Sequence, residues 1–160
     1  MITQEILKEQ LTYNPETGLF TFNKKKGGMP IGSIAGYVQK DGYVCISING
    51  VQYKAHRLAW LYIHGAFPLE QLDHINLKKD DNRITNLRPA TRSQNHMNRR
   101  VYSNNKLGLK GVHLAGTKYR ALIKKDGKQI CLGLYKTAEE ASKVFQEAAR
   151  LMHGEYSRLS

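Results

Sequence analysis

Residues 72–100 read LDHINLKKDDNRITNLRPATRSQNHMNRR, and this stretch decides the fold of the chain around it. Asp73 and His74 follow a short apolar strand, a polar loop comes next, and residues 87–89 predict a second strand. Thr91 or Ser93 is then suited to cap a short helix. We therefore predict the order strand, loop, strand and helix, which brings the first strand and the final helix side by side.

Four polar side chains in this stretch suit hydrolysis by a water molecule beside a bound divalent cation. Asp73 and Asn95 can offer two oxygens to one ion, as Mg²⁺ is held by one or two carboxylate or amide oxygens plus substrate oxygens. A neutral imidazole at His74 can accept a proton from an attacking water, and Asn86 can hold that imidazole in one tautomer. However, an Asp-His pair in a loop is commonly a turn with a solvated imidazole, and asparagines often cap helices. Spacing alone leaves both interpretations open.

Charge and cysteine content narrow the class of protein. The 160 residues include 25 Lys plus Arg against 13 Asp plus Glu, a formal net charge of +12. Such an excess is typical of proteins with a polyphosphate partner. With only 2 cysteines, Cys45 and Cys131, neither a disulfide framework nor a four-thiolate zinc site is expected. The chain shows no membrane-spanning run and no signal-peptide pattern, so we expect a cytoplasmic protein of a bacterium or phage-infected host.

The flanking sequence predicts small sheets and helices, and hence the α+β class. Upstream we predict a helix at 2–11 and a strand at 18–23. A three-stranded antiparallel meander is predicted at about 36–56, with turns at Asp41-Gly42 and Asn49-Gly50. A helix at 56–64 follows it. Downstream we predict a small three-stranded antiparallel sheet with a hairpin turn at Asp126-Gly127. It packs on one helix, whose Thr137 and Glu140 form a capping box. A linker at 103–107 would separate a domain at 1–102, with its core at about 70–100, from one at 108–160.

Three segments resemble the HNH nuclease family, in particular its zinc-free phage and intron homing type with a ββα-metal core: YKAHRLAW at 53–60, LDHINLKKDDNRITNLR at 72–88 and ATRSQNHMNR at 90–99. In that subgroup two asparagines follow the aspartate at the distances of Asn86 and Asn95 from Asp73. The resemblance covers most of 11–100. It implies that Asp73 and Asn95 are metal ligands, that His74 is the general base, and that Asn86 orients His74.

The same resemblance sets expectations for cofactor and substrate. Mg²⁺ or Mn²⁺ is the expected cofactor, and no structural zinc is expected because Cys-x-x-Cys pairs are missing from the sequence. We interpret Asn82, the alternative to Asn86, as a residue that shapes the turn, and His96 and Asn98 as surface or DNA-contacting residues. Arginines around the site are candidates for backbone phosphate contacts, although Arg57 suits a structural pairing equally well: Arg57, Arg83, Arg88, Arg92, Arg99 and Arg100.

Residues 108–159 resemble the Apetala2/ethylene-response-factor DNA-binding domain. The matching features are Lys110-Gly111-Val112, the strands at 119–123 and 132–135, and the Thr-Ala-Glu-Glu-Ala helix that ends in His-Gly-Glu. In that family the sheet enters the major groove. By position the candidate DNA contacts are Lys110, His113, Lys118, Arg120, Lys124, Lys128 and Gln129. Cys131 stands where the family has a base-reading tryptophan.

Together these features predict a metal-dependent endonuclease that hydrolyses a phosphodiester bond in double-stranded DNA. We expect an HNH homing endonuclease that acts as a monomer on DNA, nicks one strand, and leaves 5′-phosphate and 3′-hydroxyl ends. Two alternatives remain open: a sequence-specific DNA-binding regulator with an inactive nuclease core, and a low-specificity phage nuclease.

Overall fold

A computed structural model describes residues 2–99, 101, 105–125 and 127–157. It divides the chain into two compact units, Met1–Thr91 and Arg92–Ser160. Each unit combines short helices with small antiparallel sheets, which confirms the predicted α+β class. Within the described part of the chain, no helix is both long and apolar enough to cross a bilayer.

The first unit opens with a helix, two small sheets and a second helix. Its elements are α1 Gln4–Gln10, β1 Leu11–Asn14, β2 Leu19–Phe22, β3 Tyr37–Val38, β4 Val44–Ile48, β5 Val51–Lys54 and α2 Ala55–His64. The pairing order β3-β4-β5 confirms the predicted meander. Strand β1 was not predicted, because the chain passes from α1 into it without a turn signal. It pairs with β2, which places Tyr13 opposite Phe20.

A second hairpin completes this unit. Strand β6, Gln71–His74, pairs antiparallel with β7, Leu87–Ala90, and a 3₁₀ turn at Ile84–Asn86 leads into β7. The register places Asp73 opposite Arg88. Because antiparallel partners lie on the same face of a sheet, these two charged side chains are brought together by strand pairing alone.

The core of the first unit supports that hairpin from one side. Apolar side chains of α1, the meander and α2 are almost completely buried, and Leu87 of β7 joins the same cluster. The rings of Tyr13, Phe20 and Tyr62 pack edge to face or tilted, with centroids 4.8–6.2 Å apart. Burying each such side chain stabilises the fold by roughly 1.5–3 kcal/mol. The β6–β7 hairpin therefore packs against a well-packed hydrophobic core.

The second unit is a short helix followed by a three-stranded sheet under a long helix. Its elements are α3 Arg92–Met97, β8 Val112–Ala115, β9 Lys118–Lys125, β10 Lys128–Tyr135 and α4 Ala138–His153. The strands pair in the order β10-β9-β8. The predicted capping box is present: Thr137 accepts from the Glu140 amide, and the Glu140 carboxylate accepts from the Thr137 amide. Gly111 must be glycine, because a Cβ there would lie 2.2 Å from the Phe145 ring.

The division between the units falls after Thr91, whereas the predicted linker spans 103–107. Helix α3 belongs to the second unit, and the Lys110 ammonium donates to the carbonyl oxygens of Met97 and Arg99 near the end of that helix. Residues 103 and 104 lie outside the described part of the chain. The functional boundary between the two predicted domains stays a prediction.

Candidate active site and nucleic-acid surface

Strand β6 carries two buried polar residues at its end. Asp73 is 3% exposed and His74 is 4% exposed. Buried ionisable groups are rare unless they are paired or functional, because removing charge from water is costly. Their burial rules out the alternative of a turn with a solvated imidazole.

Asp73 is held by an arginine from the neighbouring strand. Arg88 donates to Asp73 Oδ2 from Nε at 3.1 Å and from Nη2 at 2.9 Å. The side chains in this ion pair are 11% and 4% exposed. The prediction that Arg88 contacts DNA is therefore corrected: its guanidinium is buried and engaged by Asp73. The pair fixes the carboxylate in place and offsets its charge.

The imidazole of His74 meets the side-chain amide of Asn82, which is itself 2% exposed. Asn82 Nδ2 donates to the carbonyl oxygen of Asp80 at 3.1 Å, so its Oδ1 faces His74 Nε2 at 3.4 Å. An amide oxygen only accepts, and the contact therefore favours a proton on Nε2. Nδ1 is then the basic nitrogen of His74, as a general base requires.

Asn86 has a different task from the predicted one. Its side chain closes the loop after His74: Oδ1 accepts from the Asn76 amide at 3.0 Å, and Nδ2 donates to Asn76 Oδ1 at 3.0 Å and to the Asp81 carbonyl at 2.8 Å. Its backbone carbonyl accepts from the Ile75 amide at 2.9 Å. The prediction that Asn86 orients His74 directly is corrected, because the amide facing the imidazole belongs to Asn82. Asn86 instead fixes the backbone that leaves His74.

A second histidine lies beside the first. His56, at the start of α2, is 8% exposed, and its ring centroid is 5.1 Å from that of His74. Tyr43 lies against both rings, at 5.1 Å from His56 and 5.8 Å from His74. Burial lowers the pKa of His56 to about 3, and burial also lowers the pKa of His74. Both imidazoles are therefore neutral at neutral pH, which leaves His74 able to accept a proton.

In the sequence His56 belongs to an Ala-His-Arg stretch at the start of a helix, and that pattern shows only that the residue lies in the first turn of α2. Its proximity to His74 depends on the packing of α2 against the β6–β7 hairpin.

The donor set of this hairpin fits a hard cation only in part. Among the residues that the structure describes, no group of three His, Cys, Asp or Glu side chains could hold a metal ion. A cation at Asp73 would depend on that carboxylate, an amide oxygen, water and substrate oxygens, which is the mixture that Mg²⁺ accepts. Asn95, the predicted second ligand, lies on α3 in the second unit, and its pairing with Asp73 stays a prediction.

The other predicted arginines differ in their surroundings. The Arg57 guanidinium lies over the Phe67 ring at 5.4 Å, which favours the structural alternative. Arg83 forms a two-pronged ion pair with Asp81, at 2.8 and 2.6 Å. Arg92 and Arg99 are exposed in the second unit, and Arg100 lies outside the described residues.

The sheet of the second unit has one face covered by α4 and one face open to solvent. Ala121 and Ile123 of β9 are buried beneath α4. Side chains alternate along a strand, so the residues between and beside them form the open face. Cross-strand pairing extends that face to β8 and β10. Its polar members are His113, Lys118, Arg120, Lys124 and Gln129.

Two predicted DNA contacts do not belong to this open face. Lys128 pairs with Lys125, which alternation puts on the same side as Ile123. Lys110 precedes β8, and its ammonium is engaged by the carbonyls at the end of α3. Cys131 is exposed and pairs with Leu122, so alternation places it on the open face.

Comparison with known proteins identifies the segment that carries the buried Asp-His pair. Residues 53–97 match the family model described as HNH endonuclease. An uncharacterized HNH endonuclease of Acanthamoeba polyphaga mimivirus is 31% identical over 123 residues, covering 76% of this chain and 64% of the viral protein. Residues 53–97 are thus similar to the HNH endonuclease family, whose members generally use divalent metal ions.

Two further proteins are more distantly similar. An ethylene-responsive transcription factor-like protein of Arabidopsis thaliana is 24% identical over 106 residues, covering 66% of this chain and 46% of the plant protein. The chain thus spans less than two thirds of the length of either curated relative. A solved structure of the HNH homing endonuclease I-HmuI, described for DNA binding and cleavage, is 22% identical with a TM-score of 0.45, covering 84% of this chain and 76% of that one.

Proposed function

We propose that this protein is a metal-dependent endonuclease that hydrolyses a phosphodiester bond in double-stranded DNA. The observation that carries the proposal is the buried Asp73-His74 pair within the HNH domain, with the His74 imidazole held by Asn82 and neutral at neutral pH. A neutral imidazole whose Nε2 faces an acceptor presents Nδ1 as its basic nitrogen.

Each residue has a defined task in this proposal. His74 takes the proton of the attacking water at Nδ1, while Asn82 holds Nε2–H. Asp73 and Asn95 are the residues that would hold Mg²⁺ or Mn²⁺. Such a cation offsets the charge that develops on the phosphoryl oxygens and on the leaving 3′ oxygen. Arg88 keeps the Asp73 carboxylate in one orientation, and Asn86 keeps the loop after His74 closed.

In this proposal the second unit binds the DNA duplex. The open face of its sheet offers Lys118, Arg120 and Lys124, and strands of a β-ribbon or β-sheet can enter the major groove. Basic residues on such a surface contact phosphates and fix the position of the protein on the duplex. We extend the proposal to a homing endonuclease that works as a monomer, nicks one strand and acts in the cytoplasm.

The assignment of Asn95 as a ligand can be tested by an alanine substitution. Asn95→Ala should abolish metal-dependent cleavage and leave DNA binding in EDTA unchanged, because only the cation loses a ligand. Cleavage is followed on supercoiled DNA with Mg²⁺ or Mn²⁺, and binding by electrophoretic mobility. Ser93→Ala, an exposed position on the same short helix, is the matched control and should cut normally. Full cleavage by Asn95→Ala would contradict the ligand assignment.

The role of the open sheet face can be tested through the salt dependence of binding. Lys124→Ala should weaken DNA binding and reduce the slope of log K against log salt by about one, the value for one lost phosphate contact. Lys143→Ala, which removes an exposed lysine from α4 on the covered side of the sheet, should leave the slope unchanged. Equal slopes for wild type and Lys124→Ala would remove Lys124 from the DNA interface.

A further inference from the structure

Asn82, which contacts His74, is itself held by a part of the chain that precedes the segment similar to the HNH family. Asn82 lies in the loop between β6 and β7, and its backbone is in contact with the β1–β2 hairpin. That hairpin spans 11–22, whereas the family match begins at residue 53. The contact therefore joins the candidate base to a segment with no role in the function proposed above.

One contact is a buried hydrogen bond. The Tyr13 hydroxyl donates to the Asn82 carbonyl oxygen at 2.7 Å. Tyr13 is 5% exposed, and its ring is fixed by Phe20 and Tyr62 at 4.8 and 5.7 Å. Burial raises the pKa of Tyr13 to about 12, so the hydroxyl keeps its proton across the working pH range. This buried hydrogen bond fixes the position of the Asn82 backbone relative to the core.

The other contact is steric. Gly18, in the β1–β2 turn, has φ +74, and a Cβ built there would lie 2.5 Å from the Arg83 amide nitrogen and 2.6 Å from the Asn82 carbonyl carbon. The turn is stiffened by Asn14, whose Oδ1 accepts from the amides of Glu16 and Thr17. Only glycine permits the backbone of the turn to come this close. The turn therefore packs directly against the peptide bond that links Asn82 to Arg83.

We propose that the β1–β2 hairpin is a positioning element for the candidate general base: Tyr13 and Gly18 fix the backbone of Asn82, and the amide of Asn82 fixes the imidazole of His74. This inference rests on the function proposed above, in which His74 accepts a proton. Asn82 Nδ2 donates to the Asp80 carbonyl at 3.1 Å, which orients the amide with its oxygen toward His74. A displacement at Asn82 therefore reaches Nε2 of His74 directly, across the 3.4 Å contact.

Tyr13→Phe tests the proposal, because it removes the donated hydrogen bond and retains the packed ring. Tyr62→Phe is the matched control: it removes a hydroxyl from the same aromatic cluster. The imidazole nitrogens of ¹⁵N-labelled full-length protein are recorded by NMR, with the His74 signals assigned from their loss in His74→Ala. Wild type should show His74 as the Nε2–H tautomer. Tyr13→Phe should shift the two His74 nitrogens and populate the other tautomer, and Tyr62→Phe should leave them in place.

The kinetic arm separates positioning from binding. Tyr13→Phe should lower the cleavage rate at saturating DNA about tenfold, the lower end of the loss seen when a residue that orients a reacting group is changed, with unchanged DNA affinity. Asn82→Ala should lose at least as much. The double variant should be no slower than Asn82→Ala alone, because both changes act through one contact.

Two outcomes would overturn the proposal: His74 nitrogens that stay at their wild-type positions in Tyr13→Phe, or rate losses that multiply in the double variant. Failure of the proposed function gives a different result, since wild type would then cut no DNA in any metal while the NMR spectra still report whether Tyr13 fixes His74.

Discussion

Replacing His74 with alanine should lower the rate of DNA cleavage by roughly a thousandfold, in the middle of the range that a general base contributes. DNA affinity in EDTA should stay unchanged, because the imidazole is 4% exposed and offers little surface to a phosphate. Rates are best compared under single-turnover conditions, where product release does not mask the proton transfer.

His64→Ala is the matched control for that substitution. His64 is an exposed histidine at the end of α2, and its ring packs against Trp60 with centroids 4.1 Å apart. Its replacement should leave the rate unchanged. A His74→Ala protein that cleaves at the wild-type rate would remove His74 from the chemistry.

Breaking the buried ion pair should have the largest effect on stability. Arg88→Leu leaves the Asp73 carboxylate buried without its guanidinium, and removing one partner of a buried pair typically costs about 3–5 kcal/mol. The free energy of unfolding is measured by urea denaturation. Adding Asp73→Asn to Arg88→Leu should recover part of the loss, since the stranded charge is then gone.

The same unit provides a comparison for this prediction. Arg83 and Asp81 form a pair with similar geometry, but the Arg83 side chain is 47% exposed. Exposed pairs contribute little to stability because water screens them, so Arg83→Leu should be far milder than Arg88→Leu. Equal losses of stability for the two variants would contradict the view that burial makes the Asp73-Arg88 pair costly to break.

Local signals account for the parts of the fold that were predicted. The two turns of the meander, the capping box of α4 and the strand order around Asp73 all depend on residues close together in sequence, so the pattern alone was informative. Strand β1 was missed because it directly follows a helix and alternates over only four residues.

The parts of the site that were misassigned depend on distant segments. Asn82 and Asn86 are the same residue type in one loop, and only the folded chain, in which Asn82 Oδ1 lies 3.4 Å from His74 Nε2, shows which amide faces the imidazole. The burial of Arg88 had a usable signal, since pairing the two predicted strands places it opposite Asp73. A buried acid next to a cross-strand arginine favours an ion pair over a DNA contact.

The most direct test of the central claim is a cleavage assay with the full chain. Supercoiled plasmids that carry inserts of phage DNA are incubated with the wild-type protein in Mg²⁺, Mn²⁺ or EDTA. We expect nicked circles with 5′-phosphate and 3′-hydroxyl ends in the presence of either cation and intact plasmid in EDTA. Plasmid that is bound by the protein but stays uncut in both cations would contradict the nuclease and favour a DNA-binding regulator.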